Sequence, residues 1–364
     1  MSQLITNLNV GDKIKLGNYK VESEEAQPIA WQIADQNHAG YPEGAVTLIT
    51  EKVIDLRGFD GKEAGNANSS RVSGGNNRYR TSNIRQWLNS VGLANSWFAP
   101  QNLTDGTADT NNHDAPPDDA NFNYITGYTR KDGFLNSFSK VELARILDTD
   151  LTVVKNSSTD GGGNETVTDK VFLLSTTEVG FSNENSIAEG SKLALFNNSS
   201  ARNAYATQQV ITNTRSSSKP PSVTSYWTWM LRTPYYSYPQ QIRYVDTNGS
   251  ENYSTALNGN YGLRPALNLS PNILVSDTVD ADGCYVPIWT RKYIVTLDKP
   301  ITLATSDKLT KYKFNPKINN QDMEIKEIDN EKLIFESDDL TDKDIKLAIE
   351  GRNARIDKIA YTVS

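Results

Sequence analysis

The composition changes abruptly near residue 290, and that break limits every fold open to this chain. Residues 291–364 carry 14 Lys and Arg against 14 Asp and Glu in 74 positions, with a single glycine, Gly351, and no tryptophan. Residues 1–290 carry 23 basic and 30 acidic residues. One core does not switch composition so sharply, so two domains are expected, 1–290 and 291–364. The second reads as a small β-rich domain. YIVTLD, YKFNP, MEIKEI, KLIFES and KIAYTV place apolar residues at strand spacing. KDIKLAIEG fits either a strand or a short helix ended by Gly351. Balanced charge suits a solvated domain that docks to a particle or to a neighbouring copy.

Residues 1–290 mix short strands, few helices and long loops. GDKIKLGNY reads as an opening strand, and IAWQIAD, AVTLITEKVID and DKVFLLS as buried ones. Two helices are expected. In SNIRQWLNSVG, Ser82 is placed to cap and Gly92 to stop; Ile84, Trp87, Leu88 and Val91 form one apolar stripe. In SKVELARILD, Ser139 and Glu142 make a capping box, and Val141, Leu143, Ile146 and Leu147 form the stripe. Both stripes are expected to face the core. WTWMLR alternates as a strand, with Trp227 and Trp229 on one face. QQIRYVDTNGSENYSTAL reads as a hairpin turning at Asn248-Gly249. YGLRPALNL returns to the core, and Pro265 predicts an edge or a bulge there.

Composition also excludes functions. A net charge of -7 and a pI near 5.1 argue against nucleic-acid binding, which needs clustered Lys and Arg. No apolar run is long enough to span a bilayer. MSQLITNLNVGDKIKLGNYK lacks a basic stretch followed by an apolar one, so no secretory signal is expected. A lone Cys284 rules out an intrachain disulfide and a cysteine-based zinc site, and reads as a small buried hydrophobe. His38 and His113 fall in loop-like contexts, which leaves little for Ser–His–Asp or transition-metal chemistry. Asp105, Asp109, Asp114, Asp118 and Asp119 are close in sequence but match no EF-hand spacing. They read as a solvated acidic loop, with Ca²⁺ as the one alternative to having no cofactor. GGGNETVT lacks the lysine of a phosphate-binding loop.

Several segments in order carry a resemblance: GDKIKLGNY, IAWQIAD, SNIRQWLN, DKVFLLSTTEVG, WTWMLRTP and YGLRPALNL. Together they resemble an uncharacterised phage- and Firmicute-borne domain family, similar in fold to C-type lectins and formylglycine-generating enzymes. The resemblance covers roughly residues 8–275. It implies an α+β domain: a small twisted antiparallel sheet, two main helices and long loops bearing the ligand face. It also implies a virion setting, in a phage tail or baseplate, since similar domains occur in tail proteins and in retroelement-diversified binding proteins. The Glu-Pro-Asn and Trp-Asn-Asp signatures of calcium-dependent lectins are absent, and one cysteine cannot supply formylglycine-type chemistry.

The candidate ligand face is Tyr235, Tyr236, Tyr238, Arg243, Tyr244, Asn248, Asn252, Tyr253, Asn258 and Asn260. Tyrosine gives contact area at small entropic cost, and asparagine gives adaptable hydrogen bonding. In the diversified relatives, the varied residues precede the last core strand, which is where this segment lies. The expectation is a non-enzymatic, multi-copy receptor-binding protein that recognises a host cell-surface glycan or protein. Its alternatives are a purely structural baseplate or decoration component and a carbohydrate-active enzyme. Arg232 and Arg264, set in apolar strands, predict ion pairs that pin the sheet.

Overall fold

The computed structural model describes residues 2–22, 25–98, 118–124, 126–128 and 130–289. It also gives the backbone of short strands at 103–104, 107–108, 291–297, 315–318, 321–322, 325–328, 332–337, 345–348 and 361–363. Contacts divide the chain into two units. The larger holds Ile5–Pro271 and Asp277–Val286; the smaller holds residues 1–4, Asn272–Ser276 and Pro287–Ser364. Beside the expected boundary at 290, the smaller unit also draws on two short segments from earlier in the chain.

In chain order the larger unit contains β1 (Lys13–Tyr19), β2 (Gln27–Gln36), β3 (Val46–Thr50), β4 (Asp55–Leu56), α1 (Ser69–Gly74) and α2 (Asn83–Leu88). There follow α3 (Lys140–Arg145), β5 (Ile146–Leu147), β6 (Thr149–Val154), β7 (Asn164–Asp169), β8 (Val171–Phe172) and α4 (Gln208–Asn213). The last elements are β9 (Trp229–Pro234), β10 (Gln241–Val245), β11 (Glu251–Thr255), β12 (Gly262–Leu263) and β13 (Ala266–Leu269). One sheet runs β8-β13-β3-β2-β1, with β5 also on β13, and the other runs β11-β10-β9-β12-β4. β6 and β7 form a separate hairpin.

Burial explains the strand sequences. VTLIT of β3 lies between β13 and β2 and is buried at every position. Its Thr47 hydroxyl donates to Asn268 Oδ1 at 2.6 Å, so the polar atom is not left bare. Trp31, Trp87 and Trp229 are wholly buried. Trp87 packs against Phe134 and Tyr128 with ring centroids 5.3 Å apart. Each such pair contributes about 1 kcal/mol beyond its buried area. β9 begins at Trp229 and is buried at all its positions, so Trp227 precedes the strand instead of sharing a face with Trp229.

The fold is mostly β-sheet, which corrects the α+β expectation with two main helices. Four α-helices occur among the described residues, each six residues long. The expected starts are there: Ser82 caps α2, and Ser139 with Glu142 forms the capping box of α3. The stops come early. Asn89 ends α2 by turning its amide to Val171 O at 2.9 Å and accepting from Lys170 N at 2.9 Å, leaving Val91 outside and 61% exposed. Ile146 and Leu147 leave α3 to pair with Leu269 and Asn268 in the sheet. What remains of α3 has no buried residue, so its stripe does not face the core. Pairing on β13 outweighs a helical period only two turns long.

YGLRPALNL proves to be two strands in two sheets. Gly262–Leu263 lies between β9 and β4, and Ala266–Leu269 lies among β8, β3 and β5. Neither is an edge. Pro265 sits at the crossing, where it needs to donate no ladder hydrogen bond, and its carbonyl accepts from Thr50 N at 3.0 Å.

The expected ion pairs divide. Arg232 is bidentate to Glu178 at 2.6 and 2.7 Å, with Glu189 at 3.4 Å from its Nε. Among the described residues, no carboxylate lies within ion-pair distance of Arg264, although Glu51 acts on it from farther away. It stacks over Trp229 at 4.7 Å and donates to Thr50 O at 3.0 Å.

The smaller unit contains three antiparallel groups: 2–4 with 274–276 and 287–288; 325–328, 332–337, 291–297 and 361–363; and 321–322, 315–318 and 345–348. The KDIKLAIEG stretch is therefore a strand at Ile345–Ala348. Among the described residues, no helix is long and apolar enough to cross a membrane.

Candidate functional site

β10 and β11 form the hairpin at one edge of the second sheet, with Arg243 directly opposite Tyr253. Paired residues point to the same face. The chain between β9 and β10 makes a tight turn, Tyr235 N to Gln241 O at 2.8 Å and Gln241 N to Tyr238 O at 3.1 Å. That turn lays its tyrosines over the same face. Tyr235 stacks on Tyr253 with centroids 4.4 Å apart and planes 2° from parallel. Tyr238 stacks on Tyr235 at 5.7 Å, and Tyr236 meets it edge-on at 5.4 Å. The Arg243 guanidinium lies 4.5 Å from the Tyr235 ring centre. Tyr236, Tyr238 and Tyr253 are 39%, 50% and 44% exposed, so this is an aromatic surface and not a core.

Three buried polar residues and one exposed serine, all from remote segments, hold the face in place. Asn77, fully buried, sets Nδ2 within 3.3, 2.9 and 2.8 Å of the carbonyls of Tyr235, Tyr238 and Gln241. Asn156 donates to Tyr235 O and Tyr236 O at 2.8 and 3.0 Å, and Ser157 Oγ to Tyr236 O at 2.8 Å. Glu184 accepts from Arg243 Nε at 2.7 Å and from Tyr236 N at 3.0 Å. Glu184 therefore fixes the guanidinium and the turn together. Glu251 lies 3.6 Å from Arg243, and burial pushes its carboxyl above the usual range against the pull of that cation. One guanidinium between two carboxylates leaves the face without excess positive charge.

The structure thus gathers Tyr235, Tyr236, Tyr238, Tyr253 and Arg243 and separates the other expected residues. Tyr244 is 8% exposed and points the other way, its ring 4.5 Å from Tyr261. Burial, then Tyr261, raises its phenol well above the ordinary value. Asn252 is opposite Tyr244 and donates to Asp246 at 3.4 Å. Asn248 is at the hairpin tip, where its Oδ1 accepts from Ser250 N at 3.0 Å. Asn258 is tied to Asn123 at 2.6 Å, and Asn260 reaches Ser218 at 3.4 Å. These four asparagines shape turns and contacts away from the rings. Asn77, Asn156, Ser157 and Glu184 carry no local signature in the sequence, because their partners lie far along the chain.

Asp105, Asp109, Asp114 and His113 lie outside the described residues. Asp118 caps a turn through Ala120 N at 2.9 Å, and Asp119 pairs with Arg130 and Arg215. Among the described residues, no group of three or more His, Cys, Asp or Glu is placed to hold a metal ion.

Fold and face together define a β-rich module with an exposed tyrosine–arginine surface at one sheet edge. The chain belongs to the DUF6273 family: the model of that family, described as a domain of unknown function, matches residues 43–271 and so spans the whole surface. No curated protein and no solved structure matches the chain.

Proposed function

We propose that this chain is a recognition module that binds cell-surface carbohydrate on the face formed by Tyr235, Tyr236, Tyr238, Tyr253 and Arg243. The observation that carries the reading is the parallel Tyr235–Tyr253 stack with Arg243 over Tyr235, in a face whose Tyr236, Tyr238 and Tyr253 rings are open to solvent. A pyranose offers one face of polarised C–H groups, which seats on an aromatic ring, and a rim of hydroxyls. Arg243, fixed by Glu184, supplies donors to that rim. The turn is held before any ligand arrives, so little ordering entropy opposes binding. The resemblance supports a setting on a phage tail or baseplate, where many copies raise avidity over a weak single site.

Titration with neutral oligosaccharides from bacterial cell walls tests this. Removing two stacking rings, Tyr238→Ala with Tyr253→Ala, costs about 2 kcal/mol, roughly a 30-fold loss in affinity. Both rings also stack on Tyr235, so the melting temperature should fall by a few degrees while the variant stays folded at the temperature of the titration. Unchanged affinity in a folded double variant refutes the reading. Finding the rings buried between subunits of an assembled particle would favour a purely structural role instead.

A further inference from the structure

His38, expected in a loop with nothing to act on, is 7% exposed and held between two side chains. Asp35 Oδ2 stands 2.8 Å from its Nδ1, and Ser191 Oγ stands 3.1 Å from its Nε2. An ionised carboxylate can only accept, so Nδ1 carries the ring proton. In the neutral ring the lone pair of Nε2 then faces the serine hydroxyl. That is the arrangement by which an imidazole takes a proton from a nucleophilic serine while a carboxylate fixes its tautomer. We infer that Asp35, His38 and Ser191 form an acyl-transfer site that hydrolyses small carboxylic esters, such as the acetyl esters of a carbohydrate.

The surroundings fit that chemistry. Asp35 Oδ2 also accepts Ala194 N at 3.1 Å, and Oδ1 accepts Gln36 N at 2.8 Å, so the carboxylate is fixed before the imidazole is. The Tyr41 ring packs 4.9 Å from the His38 ring, and Tyr41 N donates to His38 O at 3.1 Å. Asn37 N donates to Ala45 O at 2.8 Å and closes the loop that carries His38. Ser191 itself is exposed, which admits a substrate. Gly190 before it has φ +86°, and a Cβ there would lie 2.9 Å from Glu178 Oε1, so the approach bears no side chain. Among the described residues, the N–H groups of Ser191 and Lys192 donate to no protein acceptor, while Leu193 N is taken by Glu178 O. They are the donors available to a tetrahedral oxyanion.

The steps balance without a co-reactant other than water. Ser191 Oγ bonds to the ester carbonyl carbon as its proton passes to His38 Nε2. The carbon–oxygen bond to the alcohol then breaks, and His38 returns the proton to the departing alkoxide. Water attacks the acyl-serine and gives a proton to His38; the acyl carbon–Ser191 Oγ bond breaks, His38 returns that proton to Oγ, and the carboxylic acid leaves. Ser191 and His38 are the catalytic residues, and Asp35 is a positioning residue.

The experiment uses the full chain with p-nitrophenyl acetate as substrate and a fluorophosphonate as covalent probe. The expected result is turnover above buffer, with kcat/KM dependent on pH. One phosphonyl adduct, mapped by mass spectrometry, should fall on Ser191. Ser191→Ala alters an exposed side chain, should melt at the wild-type temperature, and should lose at least a hundredfold in kcat/KM and the adduct. Asp35→Asn should lower kcat and displace the pH profile, which a latch holding the loop would not do. Equal hydrolysis by wild type and Ser191→Ala, or no adduct on Ser191 in the folded protein, overturns the inference. Neither result touches the tyrosine face, which is probed separately by oligosaccharide titration.

Discussion

Replacing Glu189 by glutamine should change how stability depends on pH. Glu189 is wholly buried beside Arg232, with Glu178 sharing the same cation. Burial, reinforced by Glu178 and opposed by Arg232 and the Thr233 hydrogen bond, pushes its carboxyl from 4.5 up to about 7. The folded protein therefore holds this proton over a pH range in which the unfolded chain has released it. With more protons bound in the folded state, stability falls as pH rises. The contribution is fully present below about 4.5 and is lost as pH passes about 7. At about 1.4 kcal/mol per unit, the loss is about 3 kcal/mol. Urea unfolding at a series of pH values from 4 to 8 measures it. Subtracting the Glu189→Gln curve removes every other titrating group, because those are common to both proteins. The difference should slope by about 3 kcal/mol across that window, with the Glu189→Gln protein gaining on wild type as pH rises. Parallel curves would refute the argument, since they would mean that Arg232 neutralises both carboxylates at all pH values.

Two further substitutions test the scaffold of the face. Asn77→Ala strips the carbonyls of Tyr235, Tyr238 and Gln241 of their shared donor; it should cost about 1–3 kcal/mol in urea unfolding and weaken saccharide binding as the turn loosens. Wild-type stability would show that the turn holds itself. Gly249→Ala forces a side chain to φ +78° with its Cβ 2.5 Å from Ser199 O. It should cost at least about 1 kcal/mol, read as a lower melting temperature, and no change would mean that the hairpin tip yields.

The tyrosine face was legible in sequence because it is built locally: two strands, one turn and a dense run of rings. Arg243 and Tyr244 are neighbours in a strand, and alternation puts them on opposite faces. With Arg243 on the ligand side, Tyr244 turns inward, where it meets Tyr261. Other features had no sequence signal. Nothing near GGNNRYR indicates that Asn77 will bind carbonyls more than 150 residues away, and nothing in FSNENS marks Glu184 as the partner of Arg243. Helix starts were readable because a cap is a contact within four residues. Helix ends were not, because Asn89 and Ile146 are taken by strands distant in the chain. The local context of His38 is silent for the same reason: its serine is 153 positions away.

The buried ion network gives both sites one support. Arg232 and Thr233 belong to β9, whose last residue, Pro234, directly precedes Tyr235. Thr233 donates to Glu189, two residues before Ser191, and Glu178 accepts the Tyr41 hydroxyl at 2.7 Å. Tyr41 in turn packs on His38. A single buried guanidinium thus anchors the turn that carries the rings, the loop that carries Ser191 and the aromatic wall behind the imidazole. Such a network adds little net stability over an apolar core of the same shape, but removing one partner leaves a bare buried charge. Its value lies in position: three loops are fixed to one strand. A substitution that charges or empties this network should therefore disturb saccharide binding and ester hydrolysis together, whereas changes at Tyr253 or Ser191 should disturb one and spare the other.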